Sequence, residues 1–375
     1  MHEELSGVRI MAYTTIDDPS AYFTTTLWTG SGTSSGRSIT NSANAGNFQP
    51  DWLWIKPRTG TNATHHQLYD SSRGVSKSLR SSATAAEIAS SAYGHVSAFD
   101  TNGFTSVAGS NNNENINENS STFVAWQWKA NGGTTTTNDA SSTGVGNLDS
   151  VYQANTTAGF SIVTWTGTHP GNHYVAHGVG KALGCIIFKN RSDTANWQVR
   201  HGDTAAYHLN PLNDTDAVSQ DNTLGHGMDS STFALQNSNL DNGDGDSMVA
   251  YCFAPIQGYS KFGSYTGNGN NNGVFVYTGF KPAWILRKCT SHAEQWSLQD
   301  TTRSPFNDSS DSNLLIPSNS NAEATNTNLS IDILSNGFKC RSSDGAGNGS
   351  GRTYIYLAFA EHPFVSSKGV PITAR

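Results

Sequence analysis

Histidine is the first residue type in this sequence that could do chemistry, because its ring nitrogens bind metal ions and carry protons near neutral pH. His169, His173 and His177 recur at a spacing of four, which on a helix would put three ligands on one face. A proline and two glycines interrupt this stretch and disfavour a helix. We therefore predict turn and surface positions, with no metal and no other cofactor. The candidate ligand-binding residues are His65, His66, His169 and His173.

The stretch DNGDGD at 241–246 resembles the start of a calcium-binding loop, with oxygen donors at alternate positions. An EF-hand loop ends in a glutamate at its twelfth position, and Cys252 stands there, within an apolar run typical of a strand. We therefore predict a hairpin loop that precedes this strand, with calcium binding as the alternative.

A glycine-rich stretch, YTGNGNNNG at 265–273, could be a phosphate-binding loop or the turn of a hairpin. A phosphate-binding loop lies between a strand and a helix N-terminus and is usually followed by lysine and serine or threonine. Here VFVYTG follows, which predicts a strand. Asn and Gly accept the positive φ angles of tight turns, so we predict the hairpin turn.

The pattern Asp-x-x-Arg occurs at Asp70 and Arg73 and again at Asp300 and Arg303. A catalytic role would need a nucleophile or a second carboxylate that recurs with the pattern, and neither does. The sequence also shows no Ser-His-Asp signature, nucleophile elbow or HExxH motif. We predict structural salt bridges or turn caps here, no catalytic residues and no enzymatic activity.

These residues belong to a repeat that runs through the chain. An aromatic-Thr-Gly start is found at Trp28, Trp165 and Tyr265. Each start is followed by an apolar run that ends in lysine (PDWLWIK, LGCIIFK and PAWILRK), then by a phenylalanine, then by a closing apolar run (FVAWQW, MVAYCF and YIYLAF). The same landmarks in the same order predict three homologous modules of about 100 residues.

The runs are β-branched and aromatic and are bounded by Gly, Asn and Ser, which is typical of strands. Helical patterning is nearly absent, and residues 81–94 are the best candidate for a short helix. The predicted fold is all-β, with three tandem antiparallel β-sandwich modules of a jelly-roll-like type. The predicted ranges are 1–21 for an N-terminal extension or arm, 22–130 for module 1, 131–158 for a Gly/Thr/Ser-rich linker, 159–256 for module 2, and 257–375 for module 3 with its C-terminal tail.

Composition narrows the function classes. With 22 Lys and Arg against 29 Asp and Glu, the chain offers no basic surface for nucleic acid. It has no apolar run long enough to span a membrane, and its N-terminus, MHEELSGVRI, has no apolar segment, so we predict neither membrane insertion nor a secretory signal. Four widely spaced cysteines without a CxxC pair predict buried free thiols.

Several segments carry a resemblance to a known family: MAYTTIDDPSAYF, NGGTTTTNDAS, VYQANTTAGFSIVTWTG, VAYCFAPIQGYSKFGSYTGNG, GFKPAWILRK and YIYLAFAEHPF. They resemble repeat-containing structural proteins of marine bacteriophages, including those that infect cyanobacteria. The resemblance implies a virion or tail-fibre-like component, made in the host bacterial cytoplasm. It brings no catalytic residues with it.

The sequence thus leads us to expect a non-enzymatic virion protein, a tail fibre or receptor-binding component that contacts the host surface. Expected partners are other virion proteins, further copies of the chain in a homo-oligomer, and a host surface glycan. A capsid decoration or head-fibre protein is one alternative, and a glycan-degrading tail depolymerase is another. We expect the binding surface in loops that differ between modules, at 61–66, 169–173 and 201–216, and the aromatic residues that open each module in the core.

Overall fold

The computed structural model describes residues 12–42, 47–59, 64–89, 92–110, 116–204, 208–220, 227–235, 239–308 and 312–371. Within these ranges strands dominate. Helix is limited to single turns, namely α1 (Ala140–Thr143), α2 (Asn239–Asn242) and the 3-10 turns Pro19–Ala21 and Thr327–Leu329. The predicted all-β fold of antiparallel sheets is confirmed.

Strands β1 to β9 form two sheets, which we call lobe 1. They are β1 (Phe23–Thr29), β2 (Arg37–Thr40), β3 (Trp52–Pro57), β4 (Gln67–Asp70), β5 (Lys77–Arg80), β6 (Ile88–Ala89), β7 (His95–Asp100), β8 (Gly103–Val107) and β9 (Thr122–Trp128). The wide sheet has the order β1-β9-β3-β4-β5-β6, and the small sheet has the order β2-β8-β7. The last strand, β9, therefore lies between β1 and β3. The lobe is complete only when the two ends of its sequence pair with each other.

Lobe 2 repeats this order with two extra strands at one edge. Its strands are β10 (Thr136–Asn138), β11 (Ser150–Asn155), β12 (Phe160–Thr166), β13 (Tyr174–Ala176), β14 (Cys185–Asn190), β15 (Gln198–His201), β16 (His208–Pro211), β17 (Ser219–Gln220), β18 (Thr232–Ala234) and β19 (Ser247–Phe253). The wide sheet has the order β10-β11-β12-β19-β14-β15-β16-β17, and the small sheet pairs β13 with β18.

Lobe 3 has the same central arrangement. Its strands are β20 (Ser260–Thr266), β21 (Phe275–Tyr277), β22 (Phe280–Cys289), β23 (Ser297–Asp300), β24 (Asn313–Leu314), β25 (Ala324–Thr325), β26 (Ile331–Leu334), β27 (Gly337–Cys340) and β28 (Thr353–Pro363). The wide sheet has the order β20-β28-β22-β23, the pair β24–β25 continues it through a bridge between Leu298 and Leu315, and the small sheet has the order β21-β27-β26.

The closing strands β9, β19 and β28 are buried on both faces, which explains why their sequences are unbroken apolar runs. Successive side chains of a strand point to opposite faces. In β28, Tyr356 and Ala358 pack towards the small sheet of the same lobe, whereas Ile355, Leu357 and Phe359 face a different cluster.

That second cluster is shared by all three lobes. It contains Trp52 and Trp128 of lobe 1, Tyr251 of lobe 2, and Trp284 and Phe359 of lobe 3. The rings of Trp52 and Tyr251 stack with centroids 4.3 Å apart, and those of Trp128 and Trp284 meet edge to face at 5.6 Å. The three sandwiches therefore do not stand apart from one another. Each wide sheet has a second apolar face, and the other two wide sheets cover it.

The lobes contact one another in a ring, which we describe by three seams (1–2, 2–3 and 3–1). The strands β4, β15 and β23 each end in a residue that reaches the closing strand of the next lobe. Asp70 accepts a hydrogen bond from the Tyr251 hydroxyl at 2.8 Å, His201 bonds the main-chain oxygen of Tyr356 at 3.2 Å, and Asp300 accepts from the Trp126 indole at 2.9 Å. The third contact returns to lobe 1 and closes the ring.

Two expectations about local structure are wrong. Residues 131–158, expected as a linker, contain β10, α1 and β11, and β11 pairs along the edge strand β12. Asp51 pins the start of this segment, because its carboxylate accepts the main-chain N–H groups of Ala130, Gly132 and Gly133. In the stretch 81–94, the described residues form no helix, and Ile88–Ala89 add strand β6 to the wide sheet.

The hairpin predictions for the stretches 265–273 and 241–246 are also wrong, because neither stretch joins two paired strands. Residues 267–274 lead from β20 in the wide sheet to β21 in the small sheet, and these two strands pair with β28 and β27 rather than with each other. The DNGDGD stretch likewise leads from the small sheet, through α2, back to β19. A true hairpin does form at Ile331–Cys340, by pairing of β26 and β27.

In each lobe one loop leads from the wide sheet to the small sheet and another leads back to the closing strand. We call these the crossing loops, and a buried asparagine holds each pair together. The side-chain oxygens of Asn117, Asn242 and Asn348 accept a main-chain N–H of the opposite loop at 3.0–3.1 Å, and their main-chain oxygens accept the next N–H at 2.8–2.9 Å. All three are buried. Each stands five residues before the closing strand, a regularity that sequence reasoning missed.

Candidate functional site

The repeated Asp-x-x-Arg pattern forms buried ion networks at two seams. At seam 1–2 the Arg73 guanidinium contacts the Asp70 carboxylate and lies 2.8 Å from Glu87. Glu87 also binds Arg191 of lobe 2 through two bonds of 2.9 Å. A carboxylate held between two guanidinium groups in this way ties one lobe to the next, which supports the predicted salt-bridge role.

Seam 3–1 has the same network. Arg303 lies 2.5 Å from Asp300 and 2.7 Å from Glu323, and Glu323 binds Arg58 of lobe 1 at 2.7 Å. Asp70, Asp300, Arg73 and Arg303 are therefore all buried and mutually paired. None of them is presented to a substrate.

A buried lysine crosses each of the three seams. Lys56, Lys189 and Lys288, which end the lysine-tipped runs of the sequence, donate to main-chain oxygens of Ser320, Thr84 and Thr215 of the preceding lobe at 3.1–3.3 Å. Burial lowers the pKa of Lys56 to about 7 and that of Lys189 and of Lys288 to about 8. Their place in the seams is structural.

Of the candidate histidines, His66 is a further seam contact. Its Nδ1 accepts from the Trp54 indole at 2.9 Å, so its Nε2 donates to the Ile316 main-chain oxygen of lobe 3 at 3.1 Å. Trp197 and Trp296 make the equivalent contacts at the other seams, to the main-chain oxygens of Arg80 and Pro211. Burial lowers the pKa of His66 well below its usual value.

The other candidate histidines do not converge with it. His65 is half-buried and bonds Ser82 at 2.8 Å. His169 and His173 lie together in the loop between β12 and β13, where His173 bonds Thr168 at 3.2 Å, whereas His177 is buried and bonds the main-chain oxygen of Asp229. Among the residues that the structure describes, no group of three or more His, Cys, Asp or Glu side chains is arranged to hold a metal ion.

The buried positions predicted for other residues are confirmed. Trp28 and Trp165 lie in the cores of lobes 1 and 2, and Tyr265 packs against the core of lobe 3. All four cysteines are buried free thiols. Burial raises the pKa of the Cys185 and Cys252 thiols, which keeps these groups protonated and unreactive at neutral pH.

Away from the seams, exposed aromatic side chains lie on the outward side of the small sheet of lobe 3. We call it the outer face of lobe 3 and define it by Phe275, Tyr277, Leu334, Lys339 and Asp332. Phe275 and Tyr277 are 47% and 48% exposed, because they alternate with the inward-facing Val276 on β21.

The geometry of the strands keeps these two rings open. Gly337 lies opposite Tyr277 and next to Phe275, and a Cβ there would lie 3.1 Å from the Phe275 ring. Behind Tyr277, the Lys261 ammonium lies 5.2 Å from the ring centroid and donates to the Tyr277 main-chain oxygen at 2.8 Å. This cation–π contact covers one side of the ring, and the Tyr277 hydroxyl lies 3.5 Å from the Tyr13 hydroxyl.

A polar groove of about 510 Å³ adjoins this face. Its lining includes Asn271, Asn307, Ser330, Asp332 and Arg341. Asn307 is held against the edge strand β26 by two bonds to the main chain of Ile333, which places the neighbouring Phe306, 72% exposed, at the rim. Amide, hydroxyl, carboxylate and guanidinium groups thus stand next to open aromatic rings.

The same positions in the other lobes are less aromatic. By strand register, Phe275 corresponds to Tyr174 in lobe 2 and to Ser38 in lobe 1. Tyr277 corresponds to Ala176 and Thr40. The architecture therefore does not require aromatic residues here, and lobe 3 carries two of them on a solvent-exposed surface.

Of the loops expected to bind, 169–173 is described in full and the other two in part. His65 and His66 of loop 61–66 belong to lobe 1 and its seam, and residues 61–63 lie outside the described residues. Loop 169–173 precedes Tyr174. Loop 201–216, apart from residues 205–207, lies along seam 2–3.

The fold and the site define an all-β protein of three packed lobes, with paired charges in its interior and open aromatic rings on one lobe. The chain belongs to the family described as domain of unknown function DUF7483, whose model matches residues 18–363. No curated protein and no solved structure matches it. Among the described residues, no helix has the length and apolar character needed to cross a membrane.

Proposed function

We propose that this chain is a non-enzymatic component of a bacteriophage virion, a tail fibre or receptor-binding protein, and that it contacts a host surface glycan through the outer face of lobe 3. The resemblance of its sequence segments to phage structural proteins supports the virion assignment. The observation that carries the binding assignment is the pair of half-exposed rings, Phe275 and Tyr277, at positions that need no aromatic residue.

Exposed aromatic clusters with a polar rim are typical of interaction surfaces. A sugar ring presents an apolar face of C–H groups and an edge of hydroxyl groups. The outer face of lobe 3 offers open rings at Phe275 and Tyr277. The adjoining polar groove offers hydrogen-bonding groups at Asn271, Asp332 and Arg341. A shallow site of this kind binds weakly, and several copies in one virion would add avidity.

The binding test compares adsorption of the purified chain to host cells. The double variant Phe275→Ala/Tyr277→Ala should adsorb at least about ten-fold less than the wild type, because it removes both stacking surfaces. Its melting temperature should stay close to that of the wild type, since both side chains are half-exposed. Purified host surface glycan should compete with the wild type.

The matched control is Ser38→Ala/Thr40→Ala, which changes the equivalent positions of lobe 1 and should adsorb normally. Unchanged adsorption of the lobe 3 variant would refute binding through this face. Antibody labelling or cryo-EM of the virion tests the location: density on the capsid faces would favour the decoration-protein alternative. Release of reducing ends from the glycan would show that the chain is a depolymerase instead.

A further inference from the structure

The ring of lobes is not symmetric, because seam 2–3 departs from the other two. By strand register, His201 stands where Asp70 and Asp300 stand in lobes 1 and 3. Thr204, three residues later, takes the place of the buried arginine. The two residues that begin the ion network are therefore replaced by an imidazole and a short hydroxyl side chain.

The other half of the network is replaced as well. The main-chain N–H of Val218 donates to the main-chain oxygen of Thr290 at 3.0 Å, just as Glu87 and Glu323 donate to the following lobe at 2.9 and 3.0 Å. Val218 thus occupies the position of the bridging glutamate, and Thr290 that of the second arginine. Four long or charged side chains have become four shorter or uncharged ones.

A cavity of about 520 Å³ lies where those side chains are missing. Thr204, Val218 and Thr290 line it, together with Asp203 of lobe 2 and residues 264–266 and 353–355 of strands β20 and β28. Its floor includes the buried side chain of Ile355, and Ser264 and Asp203 at its rim are hydrogen bonded at 2.8 Å. Its volume is in the range of small-molecule sites.

The chemistry of the walls favours a neutral ligand. At the sister seams a guanidinium is held by two buried carboxylates, and here both of those carboxylates are lost. The remaining carboxylate, Asp203, lies at the rim and already accepts a hydrogen bond from Ser264. The lowered pKa of the buried His201 keeps that residue uncharged at neutral pH, and its Nδ1 accepts the Asp203 N–H at 3.1 Å. What remains is an apolar floor with hydroxyl groups and one carboxylate, that of Asp203, around it.

We infer that this cavity at seam 2–3 binds a neutral pyranose sugar. The apolar face of the sugar would lie on Val218 and Ile355, and its hydroxyl groups would reach Asp203, Ser264 and Thr204 at the rim. The sugar is either a free monosaccharide or a terminal unit of a glycan. The site is separate from the outer face of lobe 3 and does not depend on binding there.

Saturation-transfer NMR with the full chain provides the test, with glucose, galactose, mannose and N-acetylglucosamine as probes. At least one should receive saturation, mainly on the protons of one ring face. The variant Val218→Trp places a large side chain in the cavity and should weaken that sugar at least about ten-fold. A second variant, His201→Asp/Thr204→Arg/Val218→Glu/Thr290→Arg, rebuilds the sister network, and should abolish binding and raise the melting temperature.

Controls separate this site from the proposed function. Ser38→Trp, a bulky change on the exposed sheet of lobe 1, should leave sugar binding intact, and so should Phe275→Ala/Tyr277→Ala. If the four sugars all fail to bind, or bind equally well after both cavity-filling changes, the inference is wrong. If binding is lost with the Phe275/Tyr277 variant and kept by Val218→Trp, the sugar binds the outer face instead. A glycan that competes with the free sugar would identify a terminal unit as the natural ligand.

Discussion

At the residue scale, three buried lysines carry an electrostatic cost that their lowered pKa values reflect. Lys56, Lys189 and Lys288 each place an ammonium group inside a seam, where water is excluded and main-chain oxygens replace it. Hydrogen bonds to carbonyl groups satisfy the donors but do not neutralise the charge, so burial shifts the pKa downward. The same geometry at three seams shows that the cost belongs to the architecture rather than to one site.

Lys56 provides a pH test of this cost. Its pKa is about 7 in the folded chain and about 10.4 in an unfolded one, so between these values the unfolded chain binds more protons. The free energy of unfolding should therefore rise with pH, by on the order of 1–2 kcal/mol for this group between pH 7 and pH 9. Urea unfolding at fixed ionic strength measures it.

In the variant Lys56→Met that rise should be smaller than in the wild type. Lys181→Met, which removes an exposed lysine, should leave the pH dependence unchanged. An equal rise in the wild type and in Lys56→Met would show that Lys56 is not the group that titrates. Unfolded thiols lose their protons near about pH 8.5 whereas the buried Cys185 and Cys252 keep theirs, which lowers the free energy of unfolding equally in all three chains. The difference between the chains therefore measures the lysine.

At the scale of strands and loops, the sequence predicted the strands well and their connections poorly. The lysine-tipped and closing runs were recognised because strands buried on both faces are continuous apolar sequences. The loop after Tyr265 is predicted to be a hairpin turn, since Asn and Gly suit turns wherever they occur. Whether a turn joins neighbours in one sheet or crosses between two sheets depends on pairing with residues far away in the chain.

The candidate site was predictable only in part. Alternation of Phe275, Val276 and Tyr277 was visible in the sequence, but which side faces solvent depends on the small sheet and its core. The seam cavity was hidden for a similar reason. The sequence shows the Asp-x-x-Arg pattern in lobes 1 and 3, yet the meaning of His201, Thr204 and Val218 in lobe 2 becomes clear once the network joins these positions in space.

The glycine of each aromatic-Thr-Gly start is explained by the crossing loops. A Cβ on Gly30, Gly167 or Gly267 would lie 2.0–2.3 Å from a main-chain oxygen of the loop clamped by Asn117, Asn242 or Asn348. That oxygen cannot withdraw without breaking the clamp. The glycine of this motif is therefore required by the close approach of two backbones.

Gly30→Ala tests this element. The added methyl would collide with the Glu118 main-chain oxygen, and we expect a loss of about 1–3 kcal/mol in the free energy of unfolding. The control is Gly202→Ala, whose Cβ would lie at an ordinary contact distance of 3.4 Å from its nearest neighbour and should change stability by less than about 0.5 kcal/mol. Chemical denaturation of both variants gives the comparison, and equal stabilities would contradict the close-approach explanation.

At the scale of the whole molecule, the three wide sheets act as one body because they share a core and close a ring. Lobe 1 contacts lobe 2 and lobe 3 at once, and residues such as Trp52 and Trp284 belong to the same cluster although they lie in different lobes. A large aromatic side chain in such a cluster removes about 150–250 Å² of surface from water. Unfolding one lobe would expose the apolar second face of the wide sheets in the other two lobes. Unfolding of a single lobe is therefore unfavourable.

The four cysteines report on this coupling. Cys185 and Cys252 lie in lobe 2, Cys289 and Cys340 lie in lobe 3, all are buried, and lobe 1 has none. If the lobes unfold together, the four thiols should become reactive to iodoacetamide at the same urea concentration, as measured by mass spectrometry of their peptides. Gly30→Ala, a change in lobe 1, should shift all four transitions to lower urea by the same amount. Labelling of one lobe before the other, or a Gly30→Ala variant whose four transitions match the wild type while lobe 1 alone loses structure, would show that the lobes unfold as independent sandwiches.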